Sequence, residues 1–381
     1  MNGGKELVEK NFVQMKNRKI PVYSVKTAVV GSGAAGLNAA KRLYDFGQNN
    51  IAILTEGLEK GTSRNTGSDK QTYYKLSLSG QIEDSVADMA ETYYEGGAMH
   101  GDIAQVEAAL SPRAFFHLVE TGVPFPHTEH GEYIGYKTDH DPARRATSAG
   151  PLTSHYMTIN LEREIKKRNI DIFDKHQVIG ILTSESKSAQ NDEAVGLIAL
   201  NQNRLSSQKE HLVLINCSNI IYAVGGPAKI YDTSVYPQSQ TGASGIAFEA
   251  GVKGRNLTES QFGLASIGFR WNLSGTYQQV IPRYISTDQN GNNEKEFLKD
   301  YFSSPEKMIN AIFLKGYQWP FDPRKVMGQG SSLIDILVYL ERVIKNRRVW
   351  LDFTKNPSWA CKEDKNELMF NLLNEDAFQY L

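Results

Sequence analysis

Apolar positions along this chain switch between two periods, and their order predicts an α/β protein. Ala28-Val29-Val30 is a short apolar run, residues 37–43 carry apolar and small side chains at helical spacing, and Ile51-Ala52-Ile53-Leu54 is a second short run. Short runs bounded by glycine fit buried strands, and the segment between them fits an amphipathic helix ending at Gly47. Residues 82–118 read as helix, broken at Gly96-Gly97 and Gly101-Asp102, and residues 157–167 as another helix with a basic end. Strands are predicted over 170–173, 195–199 and 211–215, with the polar stretch 184–192 joining the first two as a long solvated hairpin. Residues 219–226 predict a further strand ending in a double glycine, and 242–251 a helix. Beyond Gln261 the chain turns aromatic and polar. Gln289-Asn290-Gly291-Asn292-Asn293 is a turn signal, 332–345 has helical spacing and 349–353 reads as strand.

These elements predict four parts: a leading segment over 1–24, a nucleotide-type α/β domain over 25–261, an α+β domain over 262–355, and the start of a further part over 356–381. A length of 381 residues suits two or three domains. Hydrophobic residues at 40 % and charged residues at 22 % are ordinary for a globular chain. A formal charge of −1 carries no signature of nucleic-acid or anionic-membrane binding. No apolar run approaches the roughly 20 residues needed to cross a bilayer. Residues 1–19 lack the apolar core of a secretory signal. Cys217 and Cys361 lie far apart, form no metal-ligand pattern, and suit free thiols, Cys217 within an apolar strand. The expectation is a cytoplasmic, metal-free protein with no transmembrane segment.

Between the first two strands stands Gly31-Ser32-Gly33-Ala34-Ala35-Gly36, with Glu56 twenty positions after Gly36. In a strand–helix–strand context this reads as a dinucleotide-binding unit, the alternative being a glycine-rich turn in an ordinary α/β sheet. Gly31 permits the tight turn, Gly33 lets backbone approach a pyrophosphate, and Gly36 allows close helix–strand packing. The helix N-terminus offers free N–H groups to the phosphates, and an acid at position 56 can accept from both ribose hydroxyls while disfavouring a 2′-phosphate. FAD and NAD both remain open on this segment alone. The loop 61–70 is rich in glycine and hydroxyls and suits ligand phosphates, or is a plain surface turn. A cluster of His, Arg and Asp over 127–155 is either a polar site wall or a solvated loop.

The order of these pieces resembles flavoproteins of the fumarate reductase/succinate dehydrogenase/L-aspartate oxidase superfamily. The matching pieces are Gly31 to Gly36, Glu56, the loop 63–67, the strand end 223–226, the segment 241–251 and Glu259-Ser260-Gln261-Phe262. The helix-then-strand over 333–354 matches that family's capping domain. The resemblance implies a Rossmann-like FAD-binding domain of the glutathione-reductase βαβ type with an inserted β-hairpin, plus an α+β capping domain. It favours FAD over NAD. It also implies cofactor contacts from Gly31, Gly33, Ala34, Ala35, Gly36, Glu56, Gly57, Ser63, Arg64, Asn65, Thr66, Gly67, Val178, Ala223, Val224, Gly225 and Gly226. Some relatives bond a loop histidine to the flavin; the matching place here is Asn65, so the FAD is expected to be non-covalent.

Hydride transfer between flavin N5 and a small organic substrate is the implied reaction, with substrate expected in the cleft between the FAD domain and the cap. A carboxylate is one candidate substrate, because His140, Arg144, Arg145, Arg270 and Arg283 could wall such a site and arginine suits a carboxylate through its fork. Surface cations or ordinary ion pairs explain the same residues. Three departures argue against fumarate, succinate and aspartate: Gly263 where the family has a histidine, Ile334 where it has the proton-donating arginine before Asp335, and no Asp in the turn before Gly251. The family's chains also return to the FAD site after the cap. A fragment, or a second polypeptide completing the site, is therefore expected. Alternatives are a non-catalytic flavin-binding subunit of a larger redox complex, with a redox partner, or an NAD-binding dehydrogenase.

Overall fold

The computed structural model describes residues 8–67, 71–79, 82–138, 141–184, 193–205, 211–226, 231, 234–237, 242–258, 261–361 and 373. Along the chain run β1 (Glu9–Met15), β2 (Arg18–Val30), α1 (Ala34–Asp45), β3 (Ile51–Leu54), α2 (Thr62–Asn65), β4 (Tyr73–Tyr74), α3 (Val86–Glu95) and α4 (Gly101–Glu120). There follow β5 (Ala146–Thr147), α5 (Thr153–Lys167), β6 (Asp171–Phe173), β7 (His176–Ser184), β8 (Glu193–Asn201), β9 (Leu212–Tyr222) and α6 (Ser244–Glu249). The last part holds α7 (Thr276–Gln279), β10 (Arg283–Thr287), β11 (Lys295–Glu296), α8 (Pro305–Lys315), α9 (Leu333–Tyr339) and β12 (Arg348–Asp352). The chain divides into two compact units, one of residues 1–66, 116–124 and 152–255, the other of 67–115, 125–151 and 256–381.

The first unit is built on a mixed sheet in the order β6-β3-β2-β9-β8-β7, with β1 folded back on the start of β2. Strands β6, β3, β2 and β9 run parallel; β9, β8 and β7 are antiparallel. Its core joins Val25, Ala28 and Val30 of β2 to Ala52 and Leu54 of β3 and to Leu197, Ala199, Val213 and Ile215 of the antiparallel strands. Such continuous apolar runs are what strands covered on both faces require. Helix α1 closes at Phe46, and Gly47 takes up φ +88 just beyond it, the left-handed turn glycine adopts without strain. Cys217 is a buried free thiol, pushed up to about 11 by burial.

Two sequence expectations change here. The hairpin partner of β8 is β7, not the run 170–173, which pairs in parallel with β3 as β6. Strand β7 escapes its sequence pattern because register shifts at Val178/Gly180 and Leu182/Thr183 break its alternation. The runs 211–215 and 219–226 are not two strands: one strand, β9 (Leu212–Tyr222), spans most of the first and the start of the second, and 223–226 lies beyond its end. The linking stretch 185–192 lies outside the described residues.

The second unit holds the three-stranded sheet β11-β10-β12, the small pair β4-β5, and a core of its own around Tyr284, Phe297, Met308, Ile312, Ile334 and Leu337. Helix α8 begins in a recognisable way: Ser304 Oγ accepts from Lys307 N at 3.3 Å, and Pro305 occupies the first turn. Helix α3 is capped likewise by Ser85.

Lys75 beside β4 is fully enclosed, with its Nζ donating to the Leu76 carbonyl at 3.3 Å and lying 5.0 Å from the Phe115 ring centroid. Burial pushes its ammonium down to about 8 from 10.5, against the pull of Asp84. Burial also pushes Tyr73 and Tyr74 up to about 12. A lysine with a lowered folded pKa binds fewer protons folded than unfolded, so stability rises with pH between about 8 and 10.5. Tyrosines with raised folded pKa values act oppositely and cost stability as pH climbs from about 10 toward 12. Thermal melts of the chain from pH 7 to 11 are therefore expected to peak near pH 10. Lys75→Met should raise the melting temperature at pH 7, by an effect of at most about 3 kcal/mol, and remove the rise above pH 8. A flat profile in wild type, or a mutant melting lower at pH 7, would rule out a net cost of burying this ammonium.

Candidate functional site

Glycine positions build the turn between β2 and α1. Gly31 sits at φ +104, and a Cβ there would lie 2.3 Å from the Ala223 carbonyl oxygen. Its N–H donates to the Leu54 carbonyl at 2.8 Å, while Ala223 N–H donates to the Val30 carbonyl at 2.8 Å. A Cβ on Gly36 would lie 2.0 Å from the Gly31 carbonyl oxygen. The start of α1 is thereby pulled against the ends of β2, β3 and β9. Gly33, its N-cap residue, has no side chain to cap the first turn. A Cβ on Gly33 would meet only Ser63 Oγ, at 3.4 Å, so on that side the turn is open.

That opening is part of a cleft of about 630 Å³ within the first unit, in the range of cofactor sites. Of the residues singled out in the sequence, Gly31, Gly33, Ala34, Ala35, Glu56 and Gly57 line it from the β2 and β3 side. Ser63 lines it from the loop, Val178 from β7, and Ala223, Val224, Gly225 and Gly226 from the end of β9. Gly225 takes φ +81, which suits glycine. Gly36, Arg64, Asn65, Thr66 and Gly67 are not in the lining. Arg64 instead pairs with Glu162 of α5, and Asn65 Nδ2 donates to the Glu59 and Gly61 carbonyls at 2.8 and 3.1 Å. Gly67 lies against the edge of Trp271 within the second unit.

The wall also contains groups that motif spacing missed. Ser32 Oγ and Thr55 Oγ1 share a buried hydrogen bond of 2.8 Å, and Gly57 N–H donates to Thr55 Oγ1 at 3.2 Å, fixing the start of the loop after β3. Lys60 Nζ lies 3.0 Å from Glu56 Oε1, holding one carboxylate oxygen and leaving the other. The β7 side adds His176, Gln177 and Ile179, and Tyr236 and Ile246 also line the cleft. A recognised strand at 176–184 would have pointed to the β7 group. Tyr236 and Ile246 carry no local signal at all.

The arrangement fits a dinucleotide. The first-turn N–H groups of α1 carry positive partial charge, which favours a pyrophosphate, and Ser63 Oγ already accepts weakly from Ala34 N–H at 3.4 Å. Glu56 lines the same cleft, and a carboxylate there can accept from hydroxyl groups. Backbone of 223–226, with small side chains, permits close approach of a flat group.

The five proposed substrate-site cations have different surroundings. Arg145 is fully buried: Nε and Nη2 donate to Asp84, and Nη1 donates to Tyr74 OH at 3.2 Å and Thr92 Oγ1 at 2.8 Å. Burial raises the Asp84 carboxyl, but Arg145 and the Ser77 and Ser85 N–H groups hold it below its ordinary value. Such an ion pair is structural and leaves no fork for a substrate. Arg283 is likewise engaged, by Asp352 at 2.7 Å and Glu294 at 2.9 Å. Arg144 and Arg270 are exposed and sit at φ +51 and +54. His140 lies outside the described residues. Ile334 is fully buried in the second unit's core. Beside it Asp335 meets buried Lys315 at 2.5 Å; burial pushes the Asp335 carboxyl up to about 6 and Lys315 opposes the rise. Among the described residues no group of three or more His, Cys, Asp and Glu could hold a metal, and no helix is long and apolar enough to cross a membrane.

Residues 26–286 match the family model of the FAD binding domain, and the chain belongs to that family. L-aspartate oxidase of Vibrio cholerae is 25% identical over 243 residues, covering 61% of this chain and 43% of that protein. The succinate dehydrogenase flavoprotein subunit of Rickettsia bellii is 26% identical over 269 residues, covering 65% of this chain and 41% of that protein. The chain thus spans less than half the length of these curated relatives. Among solved structures, a quinol–fumarate reductase with menaquinol molecules matches the fold with a TM-score of 0.60 at 18% identity, over 90% of this chain and 64% of that one. The cofactor is FAD, and the resemblance to the fumarate reductase/succinate dehydrogenase/L-aspartate oxidase superfamily holds.

The glycines of the turn should separate by mutation. Gly33→Val has room in the turn and is expected to fold, melting within a few degrees of wild type while losing FAD, because its side chain enters the pyrophosphate's place. Gly36→Val drives a side chain into backbone and should cost on the order of 3 kcal/mol or prevent folding. Stoichiometric FAD on purified Gly33→Val would show that the pyrophosphate does not bind at this turn.

Proposed function

We propose that this chain is the FAD-holding part of an oxidoreductase that transfers hydride between flavin N5 and a small organic substrate, with the flavin held non-covalently. The observation that carries this reading is the convergence, in one cleft, of the open α1 N-terminus, Glu56, Ser63 and the glycine-rich end of β9. Bound FAD supplies two-electron chemistry at the flavin ring; the chain's own residues bind and orient it. Amide N–H groups of α1 and Ser63 Oγ hold the pyrophosphate. Glu56, steadied by Lys60, accepts from the ribose hydroxyls. Asn65 bonds to its own loop's carbonyls and offers no nucleophile for covalent attachment. A small carboxylate is one candidate substrate class; Arg145 and Arg283 are held in ion pairs and do not offer a fork to it. A redox partner subunit fits the same reading, because the Rickettsia bellii relative is itself a subunit. The buried free thiol of Cys217 suits a reducing, cytoplasmic setting.

A specific observation favours a second reading, a flavin-binding subunit without chemistry of its own. Ile334 is buried where the resemblance expects a proton donor, and Gly263 replaces a histidine.

The test is a visible spectrum of the purified chain before and after acid precipitation, followed by anaerobic mixing with small dicarboxylates and amino acids. Flavin bands that move to the acid supernatant, and bleach with one of the substrates, are the expected outcome. Colour retained in the pellet would overturn the non-covalent assignment. Flavin that is bound but bleached by dithionite alone would favour the second reading.

A further inference from the structure

The loop that carries Ser63 into the cleft is held from outside it. Helix α2 is a single turn whose Arg64 points away from the cleft, with a side chain only 12% exposed, into an ion pair with Glu162. Glu162 is itself 13% exposed and also pairs with Lys166 at 2.5 Å. Burial raises its carboxyl, but Lys166 and Arg64 outweigh burial and keep it below its ordinary value, so it is charged at neutral pH. Seven residues earlier on α5, on the same face, His155 Nδ1 donates to the Arg64 carbonyl at 3.1 Å. Two side chains of one helix therefore grip one residue, by its carbonyl and by its guanidinium. The preceding residue, Ser63, has its hydroxyl 3.4 Å from Ala34 N, at the N-terminus of α1.

We propose that Glu162, with His155, is a positioning residue for the cofactor. By fixing Arg64 it places the Ser63 hydroxyl at the α1 N-terminus and so sets affinity for the pyrophosphate of FAD. Neither α5 residue lines the cleft. The inference rests on the FAD reading above. It adds that pyrophosphate affinity is controlled from a helix that does not touch the cofactor cleft, through a buried charge pair whose geometry one loop residue transmits.

The test is a binding cycle on the whole chain, with FAD, ADP and adenosine as probes. Ser63→Ala is expected to weaken FAD and ADP about tenfold, the effect of one hydrogen bond to a charged phosphate. Glu162→Gln should weaken both about tenfold and leave adenosine unchanged. On a Ser63→Ala background Glu162→Gln should add less than about twofold, because the two act through one hydroxyl. If Glu162→Gln fails to fold, the double variant Arg64→Met/Glu162→Met replaces the pair by apolar side chains, which buried ion pairs tolerate, and should show the same loss. Unchanged ADP affinity in these variants, or a full additional loss on the Ser63→Ala background, would overturn the proposal while leaving FAD binding intact. Failure of wild type to take up FAD would overturn the cofactor reading as well.

Discussion

The first unit depends on one steric constraint, the approach of bare backbone to bare backbone where β2 turns into α1. Gly31 leaves room for the carbonyl of Ala223, and Gly36 leaves room for the carbonyl of Gly31. No side chain fits at either place. Because the helix starts this close to the sheet, its first turn opens into the cleft that the ends of β2, β3 and β9 also line. The dipole end of α1 and the exposed amides then act on one small volume. Gly33 differs from its neighbours: nothing in the protein crowds it, and the room it leaves is room for a ligand.

Around that turn, polar groups fix geometry rather than perform chemistry. The Ser32–Thr55 pair and the Gly57 N–H tie the end of β3 to the turn, and Lys60 steadies Glu56. Asn65 spends its amide on its own loop. A cleft built this way is largely formed before ligand arrives, so little ordering opposes binding.

Several ionic groups are enclosed in the second unit as well. Arg145 with Asp84, and Lys315 with Asp335, are buried pairs. Glu341 is held by Ser286 at 2.7 Å and Lys345 at 2.6 Å. Breaking one partner of such a pair is strongly destabilising, whereas the intact pair adds little over apolar packing. An arginine rich in donors is thus as much a structural part as a substrate ligand, and its surroundings decide which.

The sequence by itself determined the strand–turn–helix–strand unit, the positions of Gly31, Gly33, Gly36 and Glu56, and the glycine-rich stretch 223–226 that follows β9. These are legible because turn geometry and apolar period are local, acting over a few residues. Only the tertiary structure decided that 170–173 pairs with β3 while β7 serves as the hairpin partner of β8, since bulges hide the period of β7. It also decided that Arg145 and Arg283 are engaged in ion pairs, because their carboxylate partners lie 61 and 69 residues away in the chain. The same holds for Arg64, whose partner Glu162 is 98 residues distant, and for Tyr236 and Ile246 in the cleft wall. Residue type states what a side chain can do. Which partner reaches it is set by folding across long separations, and no local pattern carries that information.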